Sequence, residues 1–204
     1  GASGFLGKNI VKVLSNKNIK FIAASRSKKR EIKNNIIIDK YENIKPKKAS
    51  VLLHLAESND INFINKNGNN YYNEAVSLLK KLLLKPWSHV IYISSALVYG
   101  INSKVFHKPH EILKPRDTYT KNKLTCENLV IKNGGTVLRL TNTYGPDMPK
   151  INLFSDILKQ LNNDKIIVKN LNSKRDYLWV DDCVEAIIAA INIKPNKILN
   201  IAYG

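Results

Sequence analysis

The stretch Gly1-Ala2-Ser3-Gly4-Phe5-Leu6-Gly7 constrains the fold more than any other part of this sequence. Its three glycines lead into apolar residues at Ile10, Val11, Val13 and Leu14, the spacing of a helix. A glycine-spaced turn that opens a helix is a phosphate cradle. Gly1 permits the tight turn and Gly4 lets the backbone approach a pyrophosphate. Gly7 lets the helix lie close to a sheet, and the helix N-terminus faces the anion. Such a cradle follows a β-strand. Nothing stands before Gly1, so the chain is read as a fragment that begins one strand late.

Strand and helix patterns alternate from there. Residues 20–25 read as the next strand. A site for NAD usually ends this strand with an acid that holds the ribose 2′-hydroxyl. Here Ser25 and Arg26 stand instead, followed by Lys28 and Lys29. These residues could receive a 2′-phosphate, which points to NADP(H) over NAD(H); the alternative is a solvated basic loop. Residues 35–39 form a short strand, with Asp39 at its end placed to meet an adenine edge. Residues 50–56 are apolar without alternation, as expected for a strand covered on both faces. His54 within them reads as a satisfied core histidine. Residues 57–70, rich in asparagine, read as a loop running into a helix over 71–84. Residues 89–94 are a second buried strand. It runs into Ser94 and Ser95, and hydroxyls at the carboxyl end of a parallel strand lie where α/β sheets bind ligands.

Tyr119 and Lys123 are four residues apart in Thr-Tyr-Thr-Lys-Asn-Lys. On a helix they share one face. A free tyrosine has a pKa near ~10. An ammonium beside it favours the phenolate, so the pair could take or give a proton at working pH. Downstream, the helix continues to 131 and a strand covers 136–140. Residues 141–146 read as a loop, 153–161 as a helix, 165–168 as a strand and 175–180 as another. Asp181 reads as the N-cap of a helix over 184–191, and 198–201 as the last strand.

Composition bounds the rest. The 204 residues suit one domain, and 44% apolar content is ample for a core. No apolar run is long enough to cross a membrane, and no signal peptide or interdomain linker is read. Cys126 and Cys183 sit in no metal-binding pattern, which reads as reduced thiols in a cytoplasmic protein with no metal. The net charge of +17 suggests polyanions. Yet the basic residues are nearly all lysines scattered among asparagine and isoleucine, with no stripe of basic and aromatic residues. Nucleic acid is therefore not the expected partner, and a phosphorylated cofactor or substrate is.

The fold class expected is α/β, a doubly wound parallel sheet of Rossmann type with its first strand outside the chain. Several pieces occur in one order: GASGFLG, HLA at 54–56, SSALVYG at 94–100, YTKNK at 119–123, LRLTNTYGP at 138–146, RDYLWVDD at 175–182 and LNIAYG at 199–204. With them the chain resembles the extended short-chain dehydrogenase/reductase family, the NAD-dependent epimerase/dehydratase group acting on nucleotide sugars.

The resemblance implies roles. Tyr119 would be the general acid/base, and Lys123 would bind the nicotinamide ribose and tune the tyrosine. Ser95 would hydrogen-bond the reacting oxygen. Gly1, Gly4, Phe5, Leu6 and Gly7, then Ser25, Arg26, Asp39, Leu55 and Ala56, would line the dinucleotide, NADP(H) or NAD(H). Residues 141–180 would supply the substrate-binding portion of one domain over 1–204, with Asn142 near the sugar and Arg175 on its phosphates. A homodimer is implied, with no membrane association. The 4,6-dehydratases of the family carry Asp-Glu where this chain has Ala96 and Leu97. Dehydration is disfavoured on that ground, and C4 epimerisation or 4-keto reduction remains. The competing reading is a catalytically silent member that binds RNA or senses nucleotides.

Overall fold

A computed structural model describes residues 1–26, 34–100, 106–168, 172 and 174–204. Four parallel strands form the main sheet in the order β3 (Val51–His54), β4 (His89–Ser95), β5 (Thr136–Leu140) and β8 (Lys197–Ile201). A separate parallel pair joins β1 (Ala23–Ser25) to β2 (Asn35–Ile37). A third parallel pair joins β6 (Asn142–Tyr144) to β7 (Tyr177–Trp179). The strands are therefore parallel as expected, but the described residues divide them among three sheets rather than one.

Alternation along the central strands sorts side chains to two faces. Ile91 and Leu138 pack with Ile10 and Leu14 of α1 (Phe5–Asn16) and with Val184 and Ile187 of α5 (Val180–Ala189). Val90, Tyr92 and Val137 face the other way. They meet Val76 and Leu79 of α2 (Ile61–Leu83) and Cys126 and Val130 of α3 (Thr118–Lys132). Leu79, Ile91, Val130, Val137, Leu138, Val184 and Ile187 are all fully buried. Each such aliphatic side chain contributes about 1.5–3 kcal/mol. This covering on both faces fits the reading of residues 89–94 as a buried strand.

Some expectations need correction. The asparagine-rich segment is not a loop up to residue 70, because α2 begins at Ile61 behind the N-cap Asp60, whose side chain accepts from the Phe63 amide. Asparagine is a poor helix former, but burial of Ile64 to 1% exposure overrides it. The helix breaks at Gly68, where φ is 53° and ψ −126°. Residues 142–144 are a strand, because β7 pairs with them. Residues 165–168 are not a strand; Ile167 is exposed and its amide is taken by the Gln160 side chain. The helix predicted over 153–161 is α4 (Leu153–Leu158). Asp181 is not an N-cap, since α5 starts at Val180 and Asp181 lies in its first turn, accepting from Trp179 Nε1.

α3 departs from the usual amphipathic helix. Its buried residues are Tyr119, Thr120, Asn122, Lys123, Cys126, Glu127 and Val130. Polar side chains on the buried face of a helix need partners there, and those partners build the site.

Candidate active site

α1 opens with Gly4 as N-cap and no side chain capping it, so its first N–H groups are open to an anion. A Cβ on Gly1 would sit 2.5 Å from the Leu55 carbonyl carbon, and one on Gly7 would overlap the Gly1 carbonyl oxygen. Both positions therefore require glycine for close approach. A Cβ on Gly4 would meet nothing nearer than the Gly1 oxygen at 3.4 Å. Exposed Gly4 thus has space over its backbone, and a pyrophosphate fits this cradle. Phe5 and Leu6 are half-buried in the first turn, and Leu55 and Ala56 are half-buried just past β3.

At the other end of this surface, Ser25 is 1% exposed and its Oγ donates to Asn35 Oδ1 at 2.9 Å. Its hydroxyl is committed inside the β1–β2 pair. Arg26 is exposed, with its guanidinium 5.8 Å from the Tyr41 ring centroid, and Asp39 is exposed beyond β2. Lys28 and Lys29 lie outside the described residues.

The structure brings Tyr119 and Lys123 together. Asp117 caps α3 in a capping box with Thr120, and Asn65 of α2 accepts from the Tyr119 amide while donating to Asp117. These contacts fix the first turn, where Tyr119 is 7% exposed. One turn later, Lys123 Nζ lies 5.9 Å from the Tyr119 ring centroid and 5.0 Å from that of Tyr92. It donates to the Ile93 carbonyl at 3.0 Å, which ties it to the end of β4 two residues before Ser95. Ser95 is half-buried, and its Oγ accepts from the Leu97 amide at 3.2 Å. That bond leaves the hydroxyl proton of Ser95 available to another acceptor.

Sequence reasoning missed Glu57. Its side chain is 6% exposed, and its Oε2 accepts from Lys123 Nζ at 2.9 Å and from Asn122 at 3.2 Å. The Tyr92 hydroxyl donates to the same carboxylate at 3.0 Å. Burial alone would raise the Glu57 pKa, but the Lys123 ammonium and the nearby His54 outweigh it and hold it at about 2. Burial likewise opposes the charge on Lys123, yet Glu57 keeps its pKa above the ordinary lysine value. The available signal was position: Glu57 is an acid just beyond the carboxyl end of a buried parallel strand. His54 also differs from expectation. It is buried and stacked on Tyr92, but its Nε2 has no hydrogen-bond partner and lies 3.7 Å from Glu57, too far for a bond.

Ser94 shares with Tyr92 the face of β4 that α3 covers. Its Oγ donates to Glu127 at 2.5 Å, and Arg139 grips the same carboxylate through Nε and, at 2.6 Å, Nη2. Arg139 Nη1 continues to the Tyr99 hydroxyl and the Pro109 carbonyl.

Asn142 lies exposed on β6, donating to the Asp176 carbonyl, and Arg175 is exposed just before β7. On the same β6–β7 pair and α4 the structure shows an aromatic cluster that sequence reasoning did not identify. Tyr144 stacks on Phe154 at 4.5 Å and meets Tyr177 and Trp179 edge-on. Cys126 and Cys183 are buried free thiols, and burial raises the pKa of Cys183 to about 11. Among the described residues no three metal-ligating side chains gather, and no helix is long and apolar enough to cross a membrane.

The family described as NAD dependent epimerase/dehydratase family matches residues 1–202. GDP-6-deoxy-D-talose 4-dehydrogenase of Aggregatibacter actinomycetemcomitans is 28% identical, over all of this chain and 73% of its own length. UDP-glucuronate 4-epimerase 4 of Arabidopsis thaliana is 27% identical over 69% of this chain and 36% of its own. Two solved structures share the fold: MoeE5 in complex with UDP-glucose and NAD, and a UDP-glucose 4-epimerase from Thermotoga maritima with UDP-glucose. Each has a TM-score of 0.83, with 20% and 23% identity over 100% and 99% of this chain and 75% of its own length. The glycine cradle, the buried polar face of α3 and this match over nearly the whole length agree: the chain belongs to the NAD dependent epimerase/dehydratase family.

Proposed function

We propose that this protein is an NAD(P)-dependent enzyme acting at C4 of a nucleotide-activated sugar, as a 4-epimerase or a 4-keto reductase. The observation that carries the reading is the pairing of Tyr119 with a buried, charged Lys123 one helical turn away, beside the end of β4. Tyr119 takes the proton from the sugar hydroxyl, or returns it to the carbonyl oxygen. Ser95 donates its hydroxyl proton to that oxygen as charge builds there. Lys123 donates to a ribose hydroxyl of the dinucleotide and so orients it beside Tyr119. The dinucleotide, when bound, supplies the hydride acceptor or donor.

Two further points support action at C4. Ala96 and Leu97 offer no acid for an elimination. The relatives named above are a 4-dehydrogenase and a 4-epimerase. We assign the cradle of Gly1, Gly4, Phe5, Leu6 and Gly7 to the pyrophosphate, and Leu55, Ala56 and Asp39 to the dinucleotide's flanks. A 2′-phosphate would fall to Arg26, since the Ser25 hydroxyl is committed to Asn35; this favours NADP(H). Residues 141–180 would hold the substrate, with Asn142 near the sugar and Arg175 on the phosphates. A homodimer in the cytoplasm completes the reading.

The test is absorbance of the reduced cofactor with 4-keto nucleotide sugars, and chromatographic detection of the C4 epimer with a panel of nucleotide sugars, for the parent protein and Tyr119→Phe. Turnover in the parent and its loss in the variant, with cofactor still bound, is expected. Equal turnover in the two would overturn the assignment of Tyr119.

A further inference from the structure

Glu57 is a buried ionised carboxylate that the chemistry above does not use. An ammonium carries three N–H donors. Glu57 Oε2 and the Ile93 carbonyl take two of those of Lys123, at 2.9 and 3.0 Å. Glu57 is itself braced by Tyr92 and Asn122. We propose that Glu57 is a positioning residue: it holds Lys123 charged and oriented at the end of β4, leaving one N–H for the cofactor ribose. The proposal rests on the assignment of Lys123 as the ribose-binding residue.

The groups around the pair make Glu57 the counterion. His54 faces it from β3, Tyr92 from β4, and Tyr71 from α2, where the hydroxyl accepts from the Ser58 amide. Tyr119, Asn122 and Cys126 face it from α3. Burial and the charge of Glu57 raise Tyr71 to about 12, and push the Tyr92 hydroxyl and the Cys126 thiol well up. These three are therefore neutral near pH 7, and none supplies the negative charge that Lys123 needs. Without Glu57, the main group opposing burial is gone, and the pKa of the ammonium would fall.

Glu57→Gln keeps the size and an acceptor oxygen but removes the charge. The first measurement is thermal melting of parent and variant across pH, without cofactor. Glu57 has a depressed folded pKa, about 2 against an ordinary 4.5. Its stabilisation is therefore present above that ordinary value and lost as pH falls toward the folded one. Lys123 has a raised folded pKa, so its stabilisation is present below the ordinary lysine value and lost as pH climbs through the folded one. The melting gap between parent and variant is thus expected to be widest between about pH 5 and pH 10 and to close on both sides. A gap that stays constant with pH would overturn the proposal.

The second measurement is NADH and NADPH affinity in a Tyr119→Phe background, where the base plays no part. Adding Glu57→Gln should weaken binding by about tenfold between pH 7 and pH 9.5, as an unpaired Lys123 loses its proton. Glu57→Asp should restore the flat profile. Weakening that is uniform across pH would show that Glu57 only fills space, and would also overturn the proposal. If the parent binds neither dinucleotide at any pH, the cofactor reading fails, and the melting curves alone decide whether Glu57 holds Lys123.

Discussion

Two buried ion pairs flank the end of β4, and they differ in what they leave open. In one, Glu127 accepts from Ser94 and from two nitrogens of Arg139, whose remaining nitrogen goes on to Tyr99 and Pro109. Both side chains are 3% exposed. In the other, Glu57 holds Lys123 with two of its three donors engaged, one helical turn from the Tyr119 ring. The first is closed by a planar fork that matches a carboxylate. The second uses a compact cation with a donor to spare. Adjacent residues on one strand point to opposite faces, so Ser94 joins the closed network while Ser95 does not. Burial of charge alone therefore does not set the two pairs apart; the donor that Lys123 keeps beside the Tyr119 ring does.

The comparison can be broken at several points. Tyr119→Phe should lower turnover by about 10²–10⁴-fold with melting nearly unchanged, as read by steady-state kinetics and calorimetry on one preparation. A large drop in melting temperature with little kinetic effect would put Tyr119 on the structural side. Glu127→Ala should cost about 3–5 kcal/mol of stability, because it strands the Arg139 charge in the interior. Denaturant unfolding measures this, and replacing Glu127 and Arg139 together by apolar residues of similar volume should recover much of the loss.

The two serines sharpen the contrast. Ser95→Ala should reduce kcat by about 10²-fold through loss of a donor to the reacting oxygen, with stability within error of the parent. Ser94→Ala should do the reverse, costing about 1.5–3 kcal/mol for a hydrogen bond to a charged group while kcat holds. If both substitutions act alike, the division between the networks is wrong. The smallest effect belongs to the cap of α3. Asp117→Ala should cost about 1 kcal/mol. The Asp117 pKa is depressed: burial opposes this, and the hydrogen bonds from Thr120 and Asn65 prevail. Its stabilisation is present above the ordinary aspartate value and fades as pH falls through the folded one. Melts in acid should bring parent and variant together.

Local features were legible in the residues before any coordinates. The glycine spacing at 1, 4 and 7 implies a close-approach turn because steric limits act between near neighbours, and the overlaps at Gly1 and Gly7 fit that. The Tyr119–Lys123 spacing implies one helix face because the α-helical repeat fixes it. The apolar run over 50–56 implies a strand covered on both sides, and Val51 and Leu53 pack into one cluster while Leu52 packs into the other. The α2 start was misread, because asparagine propensity spoke against a helix that Ile64 packing stabilises. The stretch 165–168 was misread in the opposite sense, since apolar residues without a neighbouring strand have nothing to pair with.

What lay within a turn or a strand of a given residue was thus decided by chain geometry and composition: the glycine turn, the shared helix face of Tyr119 and Lys123, and the parallel α/β character. What depended on residues far apart was decided only when the chain folded. Glu57 meets Lys123 across 66 positions, Glu127 meets Arg139 across a helix and a strand, and Tyr144 gathers Phe154, Tyr177 and Trp179. Periodicity carries no information about such distances. The partner of a buried charge is set by which elements pack side by side, and in this protein that packing separates the ion pair whose nitrogens are all engaged from the one that keeps a donor to spare.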